Sequence, residues 1–566
     1  MSSPSSVILW VKAEPFNYGA LQVAPHPRLS PHNVKKIVPY AKTKGKLGFP
    51  QLSYSVWKHI ACNKLQLSED LAWMYFEGYL LLSDMPSGQK VALYNQLAKC
   101  KTSADRDKWR AQLTVDTLKF VLLLYIQQLH KINLRTSMVL NEEWPSRSRS
   151  PELEGRSTPS SSKALDEHSH LTFVLNHLNE LMELLIEPDA YGTAGSDVNL
   201  SMEAVEALSF IIAGSIDRSK AVTPIHELAL TPQAVKAKSG FSKITGTFSF
   251  RMLQSWLRAT LTTNPFGIGS CIATGRRLSW PMAAEDKESK GENLGKRGKI
   301  ATNAHLVPRE HIMGNKVIIM SQVCKQTISR SSGTLEMATV KVHRCHFAYL
   351  YLLSPIRSVS IEKCRNSTII LGAVDTVVHV NACEQVTVIG ACRRFSVSNS
   401  TLCTFHLLTP TRPLILGGND SLILAPYHTH YAKLEDHMAT VGLPSVPNVW
   451  DQPFCVGPDH HEDHPVWELM PPADFYTFNI PFEMQGNTKA IPYEIPPKYK
   501  KAISQREKQI DLWQKTVKEA GLSKEQRKQF QQLVETHFQD WLVESGHKRE
   551  VDGLAAPADA KKKGTP

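Results

Sequence analysis

Residues 342–400 read VHRC-HFAYLYLLSPIRSVS-IEKC-RNSTIILGAVDTVVH-VNAC-EQVTVIGACRRFS-VSNS, and four short signatures close on Cys345, Cys364, Cys383 and Ser400. Those positions recur at intervals of 19, 19 and 17 residues. Between them lie short runs rich in β-branched residues, Ser358 to Ile361, Thr368 to Leu371 and Val377 to Val380, parted by polar corners such as Arg365-Asn366. A repeat of this length, with several short strands and no helix, is one coil of a parallel β-helix. Stacking places one register position above another, so the recurring Cys are expected as small apolar core residues that need no redox chemistry. The period-two pattern runs from Val317 to about Tyr427.

Outside this stretch apolar residues recur at helical spacing: Trp57, Ile60 and Ala61; Leu71, Met74 and Tyr75 behind a Ser68 N-cap; Leu113, Leu118, Val121, Leu122, Tyr125, Ile126 and Leu129. The pattern resumes from Leu171 to Leu185 and from Val205 to Ile212. Near the end, Ile503, Ile510, Trp513 and Val517 form one stripe that Gly521 stops, and a capping box, Ser523 to Gln526, opens a second with Phe530, Leu533, Val534, Phe538, Trp541 and Leu542. Its 566 residues exceed what one core serves. The expected class is α+β multidomain, a central right-handed parallel β-helix flanked by α-helical regions. The expected boundaries are an N-terminal α-helical region over 1–140, a disordered Ser/Pro/Arg linker over 141–166, a second α-helical region over 167–283 and a polar linker over 284–300. The β-helix follows over 301–434, then an irregular segment with extended strands over 435–496, a helical hairpin over 497–546 and a disordered tail over 547–566.

Composition excludes several function classes. The longest apolar runs, such as Phe120 to Ile126, fall far short of the roughly 20 residues that cross a bilayer, and the N-terminal patch Val7 to Val11 is too short for a secretory signal. Ten Cys without a CxxC, spread along a long chain, fit reduced thiols in the cytoplasm. The formal charge of +12 is scattered, with its densest runs at 287–299, 498–508 and 561–563 and no interleaved stacking aromatics, so no nucleic-acid partner is expected. Ser150-Pro151 and Thr158-Pro159 are candidate phosphosites within a spacer. Cys455, His460, His461, Glu462, Asp463 and His464 crowd one Pro/Gly-rich loop but lack a second ligand pair, and His428, His430 and His437 read as imidazoles capping the last coil. Gly417-Gly418 lacks the context of a phosphate cradle. No metal or cofactor is expected.

The signatures SPIRSVSIEKCRNS (354–367) and VHVNACEQVTVIGACRRFSVSNS (378–400), with SQVCKQTISR (321–330), LTPTRPLILGGNDSLILAPYHTHY (408–431) and the N-terminal LWVKAEPF (9–16), resemble the tubulin-binding cofactor C, or C-CAP, domain family. Members that are GTPase-activating proteins for tubulin or Arf-like GTPases present a Gln and an Arg two residues apart on one rung, the Arg serving as a finger on the transferred phosphoryl group. The matching rung here is Ala391-Cys392-Arg393-Arg394-Phe395-Ser396, with Arg394 at the Gln position and Ser396 at the Arg position. Arg394 would have to act from about 6.6 Å away along the strand. The resemblance therefore implies a non-enzymatic binding protein of microtubule organisation, with protein partners at the centrosome, microtubule-organising centre and spindle pole and roles in positioning centrosome and Golgi and in cell shape and migration. Two alternatives stay open: a GTPase-activating protein with Arg394 as a relocated finger, and a binder of tubulin or an Arf-like GTPase that does not stimulate it. Arg393, Arg394, Ser396 and Ser398 are the candidate partner-binding surface, with Arg393, on the opposite parity, as a surface or corner charge.

Overall fold

A computed structural model describes residues 7–129, 161–186 (side chains from 167), 198–216, 221–278, 299–305, 316–330, 333–457, 460–461, 464–482, 484–544 and 548. They form two compact units, one built from 1–86, 95–276 and 301–319, the other from 87–94, 277–300 and 320–566.

The first unit mixes helices with small sheets of two or three strands. Ser68 caps the helix Glu69–Leu82, its hydroxyl accepting from Leu71 N, and aromatic rings of Trp57, Phe76, Tyr79 and Phe120 meet edge-on at its centre. Leu113 does not join the helical stripe predicted for it: Thr114–Asp116 pairs with Gln51–Ser53, and Asp116 then caps the helix Thr117–Ile126. The stripe expected to reach Ile212 also breaks. Helix Met202–Ala207 stops, and Ile212–Ile216 pairs antiparallel with Val7–Val11, where β-branched residues fit the pleat. The helix Ser161–Glu183 takes in the last six residues of the span read as linker; 141–160, the phosphosite dipeptides among them, lie outside the described residues, as do 284–298 and nearly all of the tail.

The second unit is the β-helix. One face stacks Thr339–His343, Ser358–Glu362, the distal halves of Arg365–Asn381 and Glu384–Ser398, Leu414–Ile415 and Phe454–Cys455, all parallel. A second face stacks Thr327–Arg330, Tyr349–Leu352, the proximal halves of the two long strands, Thr404–Leu408, Leu422–Pro426 and Trp467–Leu469. The last member of each ladder comes from the segment expected to be irregular, where strands of two or three residues are too short to show a period.

At the corner between the faces, Arg365 N bonds Cys345 O, Glu384 N bonds Cys364 O, Thr401 N bonds Cys383 O and Asp420 N bonds Ser400 O, each at 2.9–3.0 Å. The four repeat positions are thus in vertical register. Each is flanked by left-handed residues, Arg344, Lys363, Ala382 and Asn399 before it and Phe347, Asn366, Gln385 and Leu402 after it. A non-glycine residue resists that conformation; here the ladder bonds on both sides hold it. The shorter 17-residue interval has a local cause. Gly390 stands opposite Leu371-Gly372, and Arg393 stands opposite Asp375-Thr376, so this coil drops one residue at each of two bends.

Candidate functional site

The rung in question lies on the first face. Phe395 points into the coil, its ring 4.6 Å from that of Phe405, which sends Arg394, Ser396 and Ser398 to the other side of the strand. In register, Ser396 sits beside His379 and Ser398 beside Asn381, and the side chains pair across the rungs: His379 Nδ1 to Ser396 Oγ at 2.8 Å, and Ser398 Oγ to Asn381 Oδ1 at 3.0 Å. One rung lower, Lys341 Nζ meets Glu362 Oε1 at 2.8 Å. Burial lowers the His379 pKa to about 4 despite the nearby Glu362 carboxylate, so the imidazole is neutral at pH 7. Burial would raise the Glu362 pKa, but the Lys341 ammonium and the hydrogen bonds from Lys341 and Ser360 hold it below the ordinary range.

This overturns the expected surface. Arg393, Arg394, Ser396 and Ser398 are 2%, 3%, 6% and 2% exposed, so none of the four offers itself to a partner in this structure. Alternation gives a side chain's direction out of the coil and not its exposure. Ser396 and Ser398 bond His379 and Asn381 across the rungs, so these two hydroxyls are enclosed without being left unsatisfied.

Arg393 departs furthest from expectation. It is no surface charge: at the shortened bend strand parity lapses, and its Nη2 reaches Asp375 Oδ1 at 2.6 Å and Val441 O at 3.1 Å. The same carboxylate takes Lys90 Nζ at 2.8 Å and Arg357 Nη1 at 2.5 Å. Burial alone would raise the Asp375 pKa, but these three cations hold it low; burial and then Arg393 depress that of Lys90. Thr411 Oγ1 bonds the Arg393 carbonyl at 2.6 Å, fixing the backbone as well. Gly442, at φ 70°, ends the helix Leu434–Val441 where a Cβ would stand 2.7 Å from the Ser87 backbone, so it admits the turn that delivers Lys90. The sequence signal was the lone carboxylate in ILGAVDTVVHV, residues 370–380.

The other candidates do not converge. His428 stacks on His406 with ring centroids 3.6 Å apart, His437 Nδ1 lies 2.9 Å from the Tyr431 hydroxyl, and Cys455 belongs to the ladder. His460, His461 and His464 are described, Glu462 and Asp463 lie outside the described residues, and no three metal-ligating side chains gather among the described residues. Gly418 continues the left-handed corner column above Asn399 and forms no phosphate cradle. No described helix is long and apolar enough to cross a membrane.

Comparison with known proteins adds the family. The family model described as tubulin binding cofactor C matches residues 337–454. TBCC domain-containing protein 1 of Rattus norvegicus is 50% identical over 98% of this chain and 96% of its own length, that of Homo sapiens 49% identical over 99% of each, and that of Danio rerio 44% identical over 97% and 94%. The chain belongs to the TBCC domain-containing protein 1 family. Within this family member the matched stretch opens just before strand Thr339–His343 and closes in Phe454–Cys455, so it carries Arg357, Asp375 and Arg393. Lys90 comes from outside it, from the helix Ser87–Lys99.

Proposed function

We propose that this chain is a non-catalytic binding and scaffold protein of microtubule organisation, acting in the cytoplasm at the centrosome, microtubule-organising centre and spindle pole, where it helps position centrosome and Golgi and set cell shape and migration. The family supports a tubulin-related role. One observation carries the non-catalytic half: at the position where relatives that activate GTPases present an arginine, Ser396 holds its hydroxyl on His379. A finger must deliver a charged guanidinium to a partner's phosphate. Arg393 is committed to Asp375, and Arg394 is 3% exposed, so neither is presented as a finger.

The test adds the purified full chain to GTP-loaded tubulin and to Arf-like GTPases. Hydrolysis is expected to stay at its intrinsic rate, with Arg394→Ala identical to the parent, while a tagged chain gathers at centrosomes in cells. Stimulated hydrolysis that Arg394→Ala abolishes would establish the relocated finger instead. Nucleotide-dependent capture of a GTPase without stimulation would assign the chain to the non-stimulating binders.

A further inference from the structure

The outer edge of the corner between the two faces holds a groove that neither the Ser396 rung nor the Asp375 cluster uses. Parallel bridges stack Cys324, His346, Arg365 and Glu384 over four successive coils, about 14 Å along the coil axis. The residues that follow them, Lys325, Phe347, Asn366 and Gln385, are all left-handed and make a second column beside the first. The two columns line a groove of about 520 Å³, a volume in the range of clefts that hold ligands, and all of these residues except His346 are exposed. Charge is uneven along it. Lys325 and Arg365 lie on the first three coils, with Arg344 and Lys363 at the corner next to them, while the one lining carboxylate, Glu384, stands on the fourth. Among the described residues Lys325, Arg344 and Lys363 make no ion pair. Arg365 meets Glu384 through Nε, and a guanidinium has further donors on its Nη edge. Burial, then the charges of Arg365 and Arg344, lower the His346 pKa, so the field at this end of the groove is positive.

We propose that this groove docks an extended acidic peptide of a partner protein, with Asp or Glu side chains on Lys325 and Arg365 and its backbone along Asn366 and Gln385. Several features select this occupant. The excess of cations on the first three coils calls for an anion. Asn366 and Gln385 each offer a donor and an acceptor, which match a peptide's C=O and N–H, and a flat bilayer does not enter a groove. Glu384 on the fourth coil repels a continuous run of phosphates, whereas a peptide can place a neutral residue there. A carboxylate is the anion because Arg365 already holds one, that of Glu384, in the same exposed setting. This goes beyond the scaffold reading and does not depend on it.

Fluorescence anisotropy of a labelled peptide, Glu-Ala-Glu-Ala-Gly-Gly, titrated with the full chain tests it, with thermal unfolding to confirm that each variant is folded. Saturable binding is expected, and its loss when both Glu of the peptide are replaced by Gln. Lys325→Glu with Arg365→Glu should weaken binding about tenfold or more. Lys515→Glu with Lys518→Glu, on the helix Pro497–Glu519, makes the same change in net charge away from the groove and should leave affinity within about twofold. Glu384→Gln removes the groove's own carboxylate and should tighten binding by roughly two- to threefold. A parent that shows no saturable binding overturns the proposal, and so does an affinity indifferent to Lys325→Glu with Arg365→Glu or equally reduced by Lys515→Glu with Lys518→Glu. A phosphoserine peptide, a single-stranded oligonucleotide or phosphatidylserine vesicles held about tenfold more tightly than the Glu peptide, and released by Lys325→Glu with Arg365→Glu, would overturn the acidic peptide as the occupant.

Discussion

The column Cys345, Cys364, Cys383 and Ser400 and the cluster around Asp375 lie on the same coils and are equally inaccessible, with Cys364 at 0% and Asp375 at 1% exposed, yet different physics holds them. The column repeats one small side chain from coil to coil, and each thiol packs against a carbonyl of the rung below, as Cys383 Sγ does with Ile361 O at 3.6 Å. Ser400 holds the fourth position of the column with a different small side chain. The cluster occurs once, at the bend where the coil shortens, and balances one carboxylate against three cations. Repetition makes burial redundant; a single ionic cluster makes it all-or-none.

The sharpest break between the two is Asp375→Ala. It leaves Arg393 and Lys90 enclosed without their anion, and removing one partner of a buried pair costs about 3–5 kcal/mol. The urea midpoint of the β-helix should fall accordingly, and Arg393→Met with Lys90→Met in the same chain should recover part of the loss. A cost under about 1 kcal/mol would mean that water reaches these cations, and the contrast with the column would collapse.

Acid should separate the regions next. His379 and His406 are neutral in the fold, their pKa values lowered by burial from 6.5 to about 4. Between those values the unfolded chain binds protons that the folded chain refuses. Stability is therefore full above pH 6.5 and declines as pH falls toward 4, by on the order of 3 kcal/mol per histidine at the lower end. Cys364 of the thiol column is silent in that window, its bonds to Cys345 and Cys383, and then burial, holding its thiol well above the ordinary range. Urea midpoints at pH 7 and pH 5 should differ, and His379→Gln should reduce the difference. An equal slope in that variant would place the proton uptake elsewhere.

This asymmetry also explains what was legible in the sequence. The β-helix was, because Cys345, Cys364 and Cys383 repeat at one interval and a solenoid repeats its geometry. Phe395 turned into the coil, with Arg394 and Ser396 on the other side of the strand, followed from alternation. Exposure was not legible, because alternation cannot see the hydrogen bonds that let His379, Ser396 and Ser398 be enclosed. Arg393 was misread because the missing residue at its bend resets the parity. Lys90 could not have been found from the coils at all, since it is separated from Asp375 by 285 positions.

Within the column, Cys364→Ser asks how far the redundancy goes. Ser400 shows the replacement already in place, its hydroxyl donating to Ser398 O at 2.8 Å, and Cys364 has the equivalent acceptor in Glu362 O at 3.5 Å. A hydroxyl that keeps its hydrogen bond should cost about 1 kcal/mol, read as a small shift in the urea midpoint without change of slope. A loss approaching that of Asp375→Ala would show that the thiols are fitted individually and that the column is no more tolerant than the cluster.

The smallest effect belongs to the outside of the same corner. One residue past the column, Arg365 Nε meets Glu384 Oε2 at 3.1 Å, with the two side chains 66% and 51% exposed. The pair has the charges of the Asp375 cluster without its enclosure. Water and salt screen it, and ordering two long side chains offsets most of the attraction, so Glu384→Gln should change stability by less than about 0.5 kcal/mol and by less still in high salt. The backbone bond from Glu384 N to Cys364 O is untouched by that change, so the left-handed corner keeps its hold. A loss above about 1 kcal/mol would mean that the side-chain pair, and not the ladder, secures the corner; enclosure would then no longer be what separates the ionic pairs that matter from those that do not.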